Sequence, residues 1–157
     1  MDKAPVPAWM EKLRHEYALV DAQRDAARKR EVENSARLQQ EGPKFWSQIQ
    51  KSLETVVDSL PVLKLSGGIS RFSEGIRVEV VYQHLVPVQT YTDISYNPGS
   101  AVLRCTTMSG GIFQLYLCVA DSDEIAAVSE LGGKPMDPEQ AAEFIMRPMV
   151  DCVVIRP

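Results

Sequence analysis

The stretch Ile76 to Gln83 alternates strictly, with Ile76, Val78, Val80 and Tyr82 at even positions and Arg77, Glu79 and Gln83 between them. Side chains on a strand point to opposite faces in turn, so this pattern makes a strand with one apolar and one polar face. Ile112 to Val119 repeats it, with Phe113, Leu115, Leu117 and Val119 on one face and Gln114, Tyr116 and Cys118 on the other. A chain carrying two such strands must build a sheet with one buried face and find something apolar to cover it.

Further strand candidates surround these two. Val62 to Ser66 reads as a short strand closed by Gly67-Gly68, Leu85 to Tyr91 as an edge or bulged strand because of Pro87, and Ala101 to Thr107 as another. Glu124 to Leu131 reads as a strand ahead of Gly132-Gly133. Asn97-Pro98-Gly99 and Ser109-Gly110-Gly111 supply turns. Short turns between consecutive strands imply an antiparallel meander of four or five strands. The three Gly-Gly pairs are expected to serve turns with positive φ.

Two amphipathic stripes can cover that sheet. Phe45, Trp46, Ile49, Leu53, Val56, Val57 and Leu60 recur at helical spacing and stop at Pro61. Asp137-Pro138-Glu139-Gln140 is a helix start, and Ala141, Ala142, Ile145, Met146 and Met149 form the stripe that follows, with Pro148 expected to kink or end it. Cys152 to Ile155 is an apolar tail.

Ahead of these lies a different segment. No Gly or Pro interrupts Ala8 to Glu41, and Gly42-Pro43 reads as its stop. Met10, Leu13, Tyr17 and Val20 make a stripe, with Trp9 beside it, but the register then meets Arg24, Ala27, Glu31 and Asn34. Asp25 with Lys29, and Glu33 with Arg37, place acid four residues before base, the favourable order. The segment reads as a long charged helical arm over residues 1–42, followed by an α+β domain over 43–157. The domain is a two-layer arrangement, a meander sheet backed by the second helix and a C-terminal helix. Its element order resembles helix-grip and TATA-binding-protein-like layouts, a likeness of layout that carries no function.

Charge limits the partners. Residues 1–44 hold 9 Lys and Arg against 8 Asp and Glu, and the remainder holds 8 against 13. An acidic body has no overall attraction for phosphate. Arg24, Arg28, Lys29 and Arg30 are the densest basic cluster and the candidate nucleic-acid contact, but Asp21, Asp25, Glu31 and Glu33 interleave with them. No apolar run is long enough to span a membrane, and Met1 to Pro7 lacks the apolar stretch expected of a secretory signal. Cys105, Cys118 and Cys152, odd in number and widely spaced, suggest core thiols in a cytoplasmic protein.

Catalytic signatures are weak. His15 near Glu11 and Glu16 lacks further ligands for a metal site. His84 beside Cys105 or Cys118 could act as a base only if the fold joined them. Asp121, Asp123 and Glu124 sit in a stretch with Ala126 and Gly132 where a calcium loop needs Gly and Glu, so a polar turn is the better reading. No glycine pair matches a phosphate-cradling motif. No metal, cofactor or catalytic residue is expected. Tyr82, Tyr91, Tyr96 and Tyr116 could form a binding surface if they line an uncovered sheet face. The reading that uses the most residues is a non-catalytic protein that pairs with itself, or with another protein, through Trp9, Met10, Leu13, Tyr17 and Val20. A nucleic-acid-binding or small-ligand-binding module, using the sheet face or the helix–sheet groove, is the alternative.

Overall fold

A computed structural model describes residues 5–83 and 85–154. In chain order it holds α1 (Ala8–Ser59), a 3-10 turn (Leu60–Leu63), β1 (Ser66–Phe72), β2 (Gly75–Tyr82), β3 (Val88–Asn97), β4 (Val102–Thr107), β5 (Ile112–Val119), β6 (Ile125–Ser129) and α2 (Pro138–Val154). The strands pair antiparallel in the order β1-β2-β3-β4-β5-β6. This is the expected α+β meander, with six strands rather than four or five. The chain divides into two compact units, Met1–Ala36 and Arg37–Pro157.

In the larger unit the alternation decides which face is buried. Val78 and Val80 of β2, Ile94 of β3, Leu103 and Cys105 of β4, and Leu115 of β5 are fully buried. Ile49 and Leu53 of α1 and Ala141, Ala142, Ile145 and Met146 of α2 close over them in one cluster. Burying such side chains contributes roughly 1.5–3 kcal/mol each. The opposite sheet face, with Arg77, Glu79, Tyr91, Asp93, Arg104 and Tyr116, is half-buried or exposed.

The start of α2 follows its sequence signal. The Asp137 carboxylate accepts from the Gln140 backbone N–H at 2.8 Å, and the Gln140 side-chain oxygen accepts from the Asp137 N–H at 3.0 Å. Two donors that the helix cannot satisfy internally are thereby paired.

Several boundaries differ from the sequence reading, for a shared reason. Gly42-Pro43 does not stop the first helix, so the second stripe is the C-terminal part of α1. A proline inside a helix costs about 3 kcal/mol. Docking on both sides of it offsets that cost. Before it, Leu38 packs on the core and Gln39 Nε2 donates to the Pro98 carbonyl at 2.8 Å. After it, Phe45, Ile49 and Leu53 are buried. Pro148 likewise lies within α2, which Met149 and Val153 hold down beyond it. Arg37 pairs with Glu41 and with Asp123, each at 2.9 Å, rather than with Glu33.

Val62 to Ser66 is not a strand. Its first part is the 3-10 turn, capped by Lys64 at φ 58, and β1 runs through Gly67-Gly68. A Cβ at Gly67 would overlap the Glu79 carbonyl oxygen, so close approach rather than a turn explains that glycine. Gly110, Gly132 and Gly133 do have positive φ. Pro87 precedes β3 instead of lying in it, and β3 is a central strand. Cys152 is exposed at the end of α2, not core, and Ile155 lies outside the described residues.

Gly42 is buried, and a Cβ there would overlap the Tyr96 hydroxyl. That hydroxyl is itself buried with no hydrogen-bond partner among the described residues, and burial raises its pKa. Gly42→Ala should therefore destabilise the protein by about 1–3 kcal/mol despite alanine's better helix propensity. Tyr96→Phe alone should be neutral or stabilising, since it removes an unsatisfied group. In the Tyr96→Phe background Gly42→Ala should cost nothing. Urea denaturation of the four proteins checks this; equal costs in both backgrounds would refute the contact.

Candidate functional site

In the smaller unit, residues 8–36 form the first part of α1, and every large apolar side chain on it is exposed. Trp9 is 62% exposed and Tyr17 65%, with Met10, Leu13 and Val20 also above one third. One turn of helix separates successive members, so Met10, Leu13, Tyr17 and Val20 share a side and Trp9 flanks it. The structure thus brings the five expected interface residues together. Its one ion pair among the described residues of this unit, Arg14 with Glu11 at 3.7 Å, is solvent-exposed and contributes little.

The basic cluster is brought together only in part. Consecutive helix residues step about 100° around the axis, so Arg28, Lys29 and Arg30 point to three different sides. Arg24 and Arg28, four apart, share a side, but Glu31 falls on that same side and Asp25 and Glu33 flank Lys29. A phosphate-tracking surface needs one sign on one face.

The larger unit offers two surfaces. The first is the uncovered sheet face. Arg77 on β2 donates to both carboxylate oxygens of Asp93 on β3, at 2.7 and 3.0 Å. Its guanidinium also lies 3.8 Å from the centre of the Tyr91 ring. The Asp93 partnership raises the Arg77 pKa. That arginine is thereby committed to its neighbours, and Glu79 and Asp93 balance the positive charge of Arg77 and Arg104. Of the four strand tyrosines, Tyr91 and Tyr116 belong to this face. Tyr82 and Tyr96 turn toward the helices, where Tyr96 meets Trp46 at 6.3 Å between ring centres.

The second surface is a groove of about 620 Å³ along α2. Phe113 of β5 and Phe144 of α2 meet edge-to-face at 6.0 Å in its wall, with Met136, Leu131 and Pro148 beside them. Glu143, Arg147 and Asp151 edge it, Arg147 being paired with Glu143 at 3.2 Å. A smaller recess of about 160 Å³ shares Thr107, Phe113 and Pro148 with it and adds Thr90, Thr92, Ser109 and Cys152. Sequence reading missed these residues. Phe144 was the available signal, an aromatic one position off the α2 stripe.

The remaining candidates do not form centres. Among the described residues no three His, Cys, Asp or Glu side chains come together as metal ligands, and no helix is long and apolar enough to cross a membrane. His84 lies outside the described residues. Asp121, Ser122 and Asp123 form the β5–β6 turn, in which Asp123 at φ 64 pairs with Arg37. The chain matches no known family, no curated protein and no solved structure.

The thiols differ sharply in environment. Cys105 is fully buried in the core, which pushes its pKa up to about 12, and burial also raises Cys118. Iodoacetamide at about pH 8 should therefore modify Cys152 first, Cys118 more slowly and Cys105 only in denaturant, since the thiolate is the nucleophile. Peptide mass spectrometry reads the order. Early labelling of Cys105 in the folded chain would contradict the packing.

Proposed function

We propose that this chain is a non-catalytic interaction protein that self-associates through its N-terminal helix. The observation that carries the reading is the exposed stripe of Trp9, Met10, Leu13, Tyr17 and Val20. Nothing within residues 5–36 buries it, because that unit is one helix. An isolated helix is marginal in water and gains most of its stability from packing an apolar face. Contiguous exposed apolar residues with a Trp and a Tyr among them have the composition of an interface centre.

A second copy is the simplest partner. It supplies the same stripe, and a two-fold axis lets each stripe cover the other. Ten apolar side chains at roughly 1.5 kcal/mol each give a gross gain on the order of 15 kcal/mol, comparable with the association cost of about 4–15 kcal/mol. The pairing is therefore reversible rather than obligate. Lys12 and Arg14 stand beside Glu11 and Glu16, so the flanks carry both signs and two copies need not repel. Beyond Val20 the register holds Arg24 and Glu31, which confines the apolar seam to the first helical turns.

Light scattering coupled to gel filtration tests the proposal on the full chain. The wild type should run as a dimer or larger species that dissociates on dilution. Leu13→Glu with Tyr17→Glu should run as a monomer with unchanged thermal stability of the 37–157 unit. A wild type that stays monomeric at every accessible concentration would exclude self-association.

A further inference from the structure

The groove along α2 and the recess joined to it differ in chemistry. The groove wall is aromatic and aliphatic. The recess offers the hydroxyl-bearing residues Thr90, Thr92, Thr107 and Ser109, with no charged side chain among its lining. Thr92 is only 1% exposed, and its hydroxyl donates to the Met149 sulfur at 3.1 Å. A thioether is a weak acceptor, so a buried hydroxyl is held by a poor partner. Thr107 and Ser109 hydroxyls lie 3.0 Å apart beside it.

The strand register places this site at one end of the sheet. Each hairpin turns at one end or the other, and the two ends differ. At the end nearest the recess the connections carry exposed Val62, Leu63, Leu85, Val86, Met108 and Leu131. Leu85 is 94% exposed and Leu131 92%. At the far end the turns hold Ser73-Glu74, Asn97 to Ser100, and Asp121 to Glu124, with Phe72 exposed beside the first of them. The connections at one end of the sheet are thus mainly polar, and those at the other carry more exposed apolar residues. Hairpin geometry alone does not demand the difference.

We propose that the groove and recess form a binding site for a single-chain amphiphile with an uncharged head, its apolar chain along Phe113, Phe144 and Met136 and its head among the threonines. Charge selects the neutral head. Glu143 and Asp151 edge the groove, and Arg147 is paired with Glu143, so a carboxylate would meet net negative charge. A hydroxyl or amide head offers the Thr92 hydroxyl a stronger acceptor than the Met149 sulfur and donates in turn to Thr107 or Ser109. The volume falls within the range of small-ligand sites, about 300–1,000 Å³. Of the exposed apolar connection residues, Leu131 lines the groove itself.

Glycerol monodecanoate and decanoate, each below its micelle concentration, are the probes. The readout is amide and methyl chemical shifts of the full chain. Glycerol monodecanoate should shift Thr92, Thr107, Phe113 and Phe144 saturably, and decanoate should bind about tenfold more weakly or not at all. Phe144→Ala, at an exposed position, and Thr92→Val should each weaken monodecanoate binding by about two- to tenfold, the value of one lost contact or hydrogen bond. Phe144→Ala keeps the test decisive if Thr92→Val fails to fold. Absence of saturable shifts, equal binding of decanoate, or shifts unaffected by Phe144→Ala would overturn the proposal.

Discussion

A sheet with one oily face has to be covered along its whole length, and that requirement organises residues 37–154. Val78, Val80, Ile94, Leu103 and Leu115 form the oily face, and each is fully buried. Six strands make that face wider than one helix, which is about 10–12 Å across with its side chains. Two helices are therefore recruited, one from each side of the sheet in sequence. Arg37 and Gln39 of α1 meet the Asp123 and Pro98 turns, and Leu60 packs into the core at the other end. The α2 helix begins near the same Asp123 turn and brings Met149 over Thr92. Both helices run the length of the sheet because the oily face does.

The same requirement explains why punctuation in the sequence misleads. Gly42-Pro43 and Pro148 read as helix ends on local grounds, and Gly67-Gly68 as a turn. Gly42-Pro43 and Pro148 lie inside continuous helices because burial on both flanks outweighs the local cost, and Gly67-Gly68 lies inside β1 because that strand pairs with β2 along its whole length. The distant partners that decide the matter are Tyr96 against Gly42 and Glu79 against Gly67, 54 and 12 residues away in the chain. A window of neighbouring residues holds no trace of them. Periodicity, by contrast, is local. The β2 and β5 alternations, the 45–60 stripe and the Asp137–Gln140 cap were all legible. The boundaries of β5 match residue for residue, because its pattern begins and ends within its own segment.

The candidate surfaces divide along the same line. The N-terminal stripe is written in one helix at a spacing of three and four, so sequence alone exposes it. The groove is assembled from β3, β4, β5, the 131–136 segment and α2, so no stretch of sequence announces it. The uncovered sheet face stands between these cases. Alternation shows that Arg77 and Glu79 share a face. Only the register Arg77 to Asp93 and Glu79 to Tyr91 shows that the arginine is already engaged by an acid and a ring. That engagement lowers its value as a free contact for phosphate, as the fanned-out Arg28, Lys29 and Arg30 do for the helix.

What separates folding from function here is which apolar residues the core leaves unused. The core of residues 37–154 is closed by its own side chains, with Ile49, Leu53, Ile145 and Val153 at or near full burial. Leu85, Val86, Leu131 and Phe144 take little or no part in it, and neither do Trp9 or Tyr17. Scattered exposed apolar residues are ordinary on any surface. These are not scattered. Trp9 and Tyr17 lie on one helix, Leu85, Val86 and Leu131 at one end of the sheet and Phe144 in the groove along α2, while the turns at the other end of the sheet show that the fold tolerates polar residues there. Stability does not require that contrast, since exposed turn residues away from special backbone positions change stability by about 0.5 kcal/mol or less. The contrast is therefore the part of this molecule that folding leaves unexplained, and both proposed binding surfaces draw on it.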